Sequence, residues 1–170
     1  SEREQVMNLK QCWAHYTKAE ELLKAGHWPQ AHYLLEDVLH NLPNHLENTA
    51  RDPAAKPCQL VCLISGLHDA AIHQAEILNN MGQQKRAFDA LNQAYGLLQF
   101  MSIERSELIS AVASVLDKHS TNLLMHLSAF CLAQRDANWQ LEYQDIEKAH
   151  QYFTQLKLSY GQCLETPTLN

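Results

Sequence analysis

Ten histidines and five cysteines are the side chains of this sequence that could hold a metal ion. Cys58 and Cys62 lie four residues apart, so a helix would place both thiols on one face, and such a pair with a nearby histidine can bind zinc. His68 and His73 lie five residues apart, about 140° around a helix, and cannot share a face. No second ligand pair at a fixed spacing accompanies the cysteines. The sequence therefore predicts no metal site and no cofactor.

Motifs that carry catalysis are also missing from the sequence. It has no nucleophile elbow, phosphate-binding loop, HExxH helix or EF-hand loop. Gly66 and Gly82 stand alone, so neither belongs to a glycine-rich loop that could cradle a phosphate. Neighbouring acids such as Glu36 and Asp37 diverge on a helix and are typical of a solvated surface. We therefore expect a protein that is not an enzyme and has no catalytic residues.

The composition predicts one all-α domain. The 170 residues include only five glycines and five prolines, and long stretches contain neither. A β-sandwich needs frequent turns, whereas helices of three to five turns do not. Apolar residues make up 46% of the chain, an ordinary share for a globular protein.

Charge and hydropathy limit which kinds of partner and which cellular compartment we expect. The net charge is −6, and no three consecutive residues are Lys or Arg, which argues against nucleic acid as a partner. No apolar run reaches the roughly 18 residues of a membrane span. The polar opening Ser1–Glu4 is unlike a signal peptide, although a leader removed before Ser1 stays open. The odd, scattered cysteines favour free thiols and a cytoplasmic location.

Apolar residues at steps of three and four predict about six helices, paired as hairpins. The hairpins are expected at roughly residues 3–43, 58–100 and 103–161, with a loop at 44–57 and a tail at 162–170. The first hairpin turns at Gly26, and Pro43 is expected to end its second helix. The second hairpin turns at Gly82.

The third hairpin is predicted to contain a long helix, a polar connection and a last helix. Its first helix is expected from Ile103 to about Gln134 with Ser102 as its N-cap, and any break is placed at residues 119–122. Residues 135–144 are expected to form a polar connection. The sixth helix then begins near Ile146 and is capped by Gly161.

Two segments share a pattern of small and large residues. The first contains Ala19, Leu22, Gly26, Ala31 and Leu35, and the second repeats the spacing in a set of equivalent residues: Ala75, Leu78, Gly82, Ala87 and Leu91. This pattern resembles the tetratricopeptide repeat (TPR), which has small residues where its two helices touch. A weaker third copy lies around Ala149. The resemblance implies three antiparallel hairpins stacked as a right-handed superhelix, although Ala31 and Ala87 lie 56 residues apart rather than 34.

The resemblance also implies a binding surface, because the first helix of each TPR hairpin lines the groove. Carried over residue by residue, the expected partner-binding residues are these: Tyr16, Glu20, Lys24, Asp69, Glu76, Asn79 and Asn80. Trp13 and Tyr16 could instead belong to the core. We expect Tyr16, Lys24, Asn79 and Asn80 to be exposed on one surface.

The expected function is a protein-interaction module, such as an adaptor, a chaperone or a regulatory subunit that binds a peptide or a helix. Two alternatives stay open. One is a sensor with a ligand pocket between hairpins, and the other is a purely structural homodimer. An open groove would favour the adaptor, and a closed apolar cavity would favour the sensor.

Overall fold

The computed structural model describes residues 7–164, with side-chain surroundings through residue 159, and this part of the chain consists of helices and their connections, without strands. The elements are listed here in chain order: α1 (Leu9–Lys24), α2 (Trp28–Arg51), α3 (Pro57–Asn80), α4 (Gln84–Ser102), α5 (Glu107–Ala111), α6 (Ala113–Ala133) and α7 (Ala137–Leu164). The all-α prediction is confirmed. None of the described helices is long and apolar enough to cross a membrane.

Three hairpins, α1–α2, α3–α4 and α6–α7, are joined by turns of the same length. In each turn three residues separate the helices, and the middle residue has a positive φ: 79° at Gly26, 77° at Gly82 and 52° at Arg135. The first two turns share one hydrogen-bond pattern, in which His27 N donates to Leu22 O and Gln83 N donates to Leu78 O, both at 2.8 Å. Glycine adopts this left-handed backbone without steric cost, which explains both predicted turns.

The hairpins form two rows of helices. α1, α3 and α6 lie side by side, while α2, α4 and α7 form the second row and pack against them. α2 also packs on α3, and α4 packs on α6, so that each hairpin covers the next. One continuous core joins the rows, with Leu35, Leu67, Leu98 and Leu123 almost completely buried.

The first hairpin is longer than predicted, because Pro43 lies inside α2 and the helix continues to Arg51. A proline in a helix removes one hydrogen bond, and here buried side chains on both sides of it outweigh that loss. Leu42, Leu46 and Ala50 follow one another at steps of four in the core. The loop between the first two hairpins therefore comprises residues 52–56 rather than the predicted 44–57.

The third hairpin also differs from the prediction. Ser102 belongs to α4, where its hydroxyl donates to Leu98 O, and Ser106 caps the short helix α5 instead. The chain breaks at Val112, not at residues 119–122, which lie inside α6.

The last helix begins earlier and ends later than expected. Asp136 accepts a hydrogen bond from Asn138 N and starts α7 inside the predicted connection 135–144. Trp139 then packs on Phe88 and Phe130. Gly161 does not end α7, which runs to Leu164. The start of the first predicted hairpin, residues 3–6, and the end of the predicted tail, residues 165–170, lie outside the described residues.

Candidate binding site on the first row of helices

The surface formed by α1, α3 and α6, called here the first-helix face, begins with a close contact between α1 and α3. The indole ring of Trp13 lies against the backbone of Gly66, so near that a Cβ at Gly66 would stand 2.6 Å from Cη2 of the ring. Three residues further along α1, Tyr16 packs edge-on against Trp13. The hydroxyl of Tyr16 donates to Oδ2 of Asp69 at 3.4 Å. The two helices therefore touch through a tryptophan, a glycine and a tyrosine–aspartate hydrogen bond.

Tyr16 was predicted to be exposed, and this prediction is wrong. Only 9% of its surface is accessible, because the ring fills the space between α1 and α3. Burial raises the pKa of its hydroxyl, and the charges of Asp69 and Glu20 raise the pKa further. Both carboxylates therefore lie near this hydroxyl, although only Asp69 bonds to it.

On its other side α3 meets α6 through a polar contact. Nδ1 of His68 lies 2.8 Å from Oδ1 of Asp69, and Nε2 of the same ring lies 2.6 Å from Oδ1 of Asn122 on α6. The ring of His119, also on α6, stands edge-on to His68 at 4.7 Å. His68 is thus held at both nitrogens, and it in turn fixes one side of the Asp69 carboxylate.

His119 also contacts Ser65, whose hydroxyl lies 3.2 Å from Nε2 of the ring. Its other nitrogen, Nδ1, is buried and lacks a partner with normal hydrogen-bond geometry. Burial lowers the pKa of His119, and nearby His68 lowers the pKa further, whereas Asp69 opposes both effects. A nucleophilic serine also needs donors for an oxyanion, but Ser65 lies inside α3, where backbone N–H groups are engaged in the helix. The Ser65–His119 contact joins α3 to α6.

Two cavities follow one another between α3 and α6, and we call the residues that line them the α3–α6 seam. The first, about 550 Å³, is bordered by residues of both helices, among them Ser65, His68, Asp69, His119, Asn122 and Met125. The second, about 360 Å³, is bordered mainly by Ile72, Glu76, Asn79, His126, Ala129 and Phe130. The α3 residues recur at steps of three and four, so they form one stripe about 21 Å long from residue 65 to residue 79.

The predicted binding residues divide between this seam and its surroundings. Asp69, Glu76 and Asn79 line the seam. Asn80 borders a different cavity of about 360 Å³, where it meets Trp28 and His73 on the α1 side of α3, and Glu76 borders that cavity as well.

The two residues predicted on α1 lie apart from the seam. Glu20 is half-buried near Tyr16, and Lys24 is exposed at the end of α1. The expected single surface thus holds for Asp69, Glu76 and Asn79 but not for the whole set, since Asn80 borders a different cavity on the α1 side of α3.

The α6 side of the seam was not among the binding residues predicted from the sequence. Residues 119–122 are a polar run inside α6, and any break in the predicted helix was expected there. Inside α6, however, His119 and Asn122 lie three residues apart on one face and pair with Ser65 and His68. A short polar run that keeps helical spacing was the available signal of a helix–helix contact.

Metal binding finds no support in residues 7–159. No three His, Cys, Asp or Glu side chains converge there in a way that could hold an ion. Cys58 and Cys62 are free and exposed near the start of α3, while Cys12 and Cys131 are buried. Burial raises the pKa of the Cys12 and Cys131 thiols to about 11 each, so both are neutral near pH 7.

A fourth cavity lies between α2 and α4, in the second row of helices. It measures about 570 Å³, and its floor comes from α3 through Leu67, Gln74 and Leu78. Arg86 on α4 donates to Glu36 on α2 at 2.6 Å, and Gln74 donates to the same carboxylate at 2.8 Å. This cavity therefore has a polar end closed by an ion pair and a wall of leucines.

Comparison with known proteins does not place the chain in a family. No protein-family model matches the sequence, and no significant match is found among the curated proteins or the solved structures. The site is therefore interpreted from its own geometry.

Proposed function

We propose that this protein is a TPR-like interaction module that binds a segment of another polypeptide along the α3–α6 seam. One observation carries the proposal: two cavities follow each other on one stripe of α3 and are bordered by half-exposed polar and apolar side chains of two helices. A stripe about 21 Å long matches six residues of extended chain at about 3.4 Å each. Open, mixed surfaces of this kind suit peptides.

The surroundings of the seam support this use. His68 contacts Asn122 across the two helices and Asp69 on its own helix, so the walls are ordered before a partner arrives. A preordered surface loses less conformational freedom on binding. Met125, 63% exposed at the edge of the first cavity, offers an adaptable apolar contact. The repeated three-residue turns support the TPR-like arrangement.

Selection from a random peptide library on the immobilised protein tests this proposal. In the variant Ala129→Tyr, a bulky neutral ring fills the second cavity of the seam, and peptides selected on the unmodified protein should bind it at least about tenfold more weakly. Ala149→Tyr is the matched control, because Ala149 is an exposed alanine within α7. Failure to enrich any peptide, or equal binding to Ala129→Tyr and the unmodified protein, would contradict the proposal.

A small-molecule sensor is the second candidate, and the cavity between α2 and α4 favours it. Its volume of about 570 Å³ lies in the range of ligand pockets, and it combines leucines with a few polar groups. Filling it with Leu97→Trp should abolish any thermal stabilisation that a library compound produces. Ligands that stabilise both proteins equally would argue against binding at this cavity.

A further inference from the structure

Three carboxylates on the first-helix face make no ion pair with a lysine or arginine of the described residues. Asp69 and Glu76 line the seam, and Glu20 lies across from Asp69 beside the Tyr16 hydroxyl. Among the described residues, no Lys or Arg side chain approaches any of the three within 4 Å. Lys118 borders the seam and is exposed, and the His68 ring contacts one oxygen of Asp69. The centre of the face is therefore acidic.

The Asp69 carboxylate is positioned rather than neutralised by its surroundings. The Tyr16 hydroxyl and the His68 ring each occupy one oxygen, yet 49% of the Asp69 side chain is still accessible. A carboxylate accepts up to about four hydrogen bonds, so both oxygens retain capacity for a further donor. Glu76 is exposed and makes no ion pair in the described part of the chain. Both groups are thus available to a cationic ligand.

The spacing of these acids sets the spacing of their partners. Asp69 and Glu76 lie seven residues apart on α3, or about 10.5 Å along the helix axis. In the extended polyproline II conformation, which has three residues per turn, side chains three positions apart lie on the same side of the chain, about 9 Å from each other. Ile72 is half-buried between the two acids and offers an apolar contact midway. An extended segment with two basic residues and an apolar residue between them therefore matches the stripe.

We propose that the α3–α6 seam takes an extended peptide with two Lys or Arg residues three positions apart, one paired with Asp69 and the other with Glu76. This inference rests on the proposed peptide-binding function and names the chemistry of the partner. Charge pairs at an open surface contribute little affinity individually, but they decide which sequences bind and in which register.

Titration of the ¹⁵N-labelled protein with synthetic octapeptides, followed by NMR, tests the inference and detects weak binding. The probe has a Lys-Ala-Leu-Lys core between Gly and Ser residues. A second peptide places the two lysines side by side, and a third replaces both with Glu. We expect the first peptide to shift the amide signals of Asp69 and Glu76, with about fivefold tighter binding than the second. The third should not bind, and raising the salt from about 50 to 300 mM should weaken the first.

Variants of the protein test whether Asp69 and Glu76 are the acids that pair with the lysines of the peptide. Glu76→Gln should weaken binding of the first peptide about two- to fivefold, and Asp69→Asn should do the same. Glu47→Gln is the control, since Glu47 is an exposed acid on α2. Because Asp69 also contacts Tyr16 and His68, Glu76→Gln keeps the test valid if Asp69→Asn loosens the fold. Equal binding of the lysine and glutamate peptides, or no effect of Glu76→Gln, would overturn the inference.

The two proposals fail in different ways. If library peptides without spaced basic residues bind the seam and lose affinity in Ala129→Tyr, the interaction function stands and the charge inference is wrong. If no peptide from the library or the synthetic set perturbs the seam, both are wrong.

Discussion

Trp13 and Gly66 fit together so closely that only glycine fits beside the indole ring without displacing it. The ring atoms Cη2 and Cζ3 would stand 2.6 and 2.9 Å from a Cβ at this position, both well inside normal contact. Gly66 is buried within α3 and has no turn to form, so its lack of a side chain serves the approach of α1. This contact thus fixes α1 against α3, in addition to the packing of α2 on α3.

Gly66→Ala should destabilise the protein by about 1–3 kcal/mol, since the indole ring must shift. In a helix interior the same change normally stabilises by about 1 kcal/mol, because glycine is a poor helix former. In the Trp13→Ala background the substitution should therefore become stabilising. Chemical denaturation of the four proteins of this cycle measures the coupling, and additive effects would show that the ring does not press on Gly66.

Arg135→Gly should stabilise the protein by about 1 kcal/mol, because Arg135 adopts a φ of 52° that glycine adopts without steric cost. For a chain of this size, that change corresponds to a rise of about 2–4 °C in the unfolding temperature. Gln134→Gly is the matched control, since Gln134 has a φ of −72° and should gain nothing. An unfolding temperature that falls in Arg135→Gly would contradict the equivalence of the three turns.

Ala31→Leu and Ala87→Leu should each destabilise the protein by about 1–3 kcal/mol through overpacking. Both alanines are completely buried at equivalent places in the second helix of their hairpins. Ala14→Leu on the exposed side of α1 should have little effect, because leucine is also a good helix former. Thermal unfolding followed by circular dichroism compares the three, and unchanged midpoints in both buried variants would argue against the repeat.

Acidification should destabilise the fold from about pH 6.5 downward. Burial lowers the pKa values of His119, His126 and His150 below the ordinary 6.5, so the folded protein takes up protons less readily than the unfolded chain. Their contribution to stability is complete above pH 6.5 and is lost as the pH falls toward the lowered values. The unfolding midpoint should therefore drop more between pH 7 and 5.5 than between pH 8 and 7.

His119→Gln tests the origin of that drop. The amide can still reach Ser65 but takes up no proton, so this variant should lose less stability on acidification than the unmodified protein. His27→Gln is the control, because His27 is exposed in the first turn. An identical pH dependence in all three proteins would exclude His119 as a contributor.

Local sequence rules predicted the turns well, because a helix end followed by glycine is decided within a few residues. Gly26 and Gly82 show this directly. The same rules predicted that the second helix ends at Pro43, which was wrong. A proline disfavours the helix locally, but Leu46 and Ala50 stabilise it through the core. The extension of the helix also places His45 beside Asn41, and both bond to the backbone of Met7, 34 or more residues away in sequence. No local rule contains that information.

The candidate site was predicted in part. Asp69, Glu76 and Asn79 lie on the seam because helical spacing alone places them on one stripe. The predicted exposure of Tyr16 was wrong, because its burial depends on how closely α1 approaches α3, which Gly66 permits. The α6 side of the seam was not predicted, because contacts such as that between His68 and Asn122 join residues 54 positions apart in the sequence.

The order in which the helices pack has a consequence for how the chain folds during synthesis. α2 covers α1, α3 covers α2, α4 covers α3, and α6 and α7 are added last, so most contacts join neighbours in sequence. A chain with such local topology folds quickly and can do so as it leaves the ribosome, with little waiting for distant segments. After Ser102 has emerged, two hairpins are complete. Until α6 follows, however, the nascent chain exposes the apolar surface that Leu123, Leu127 and Phe130 later cover, and this interval is its period of greatest risk for aggregation.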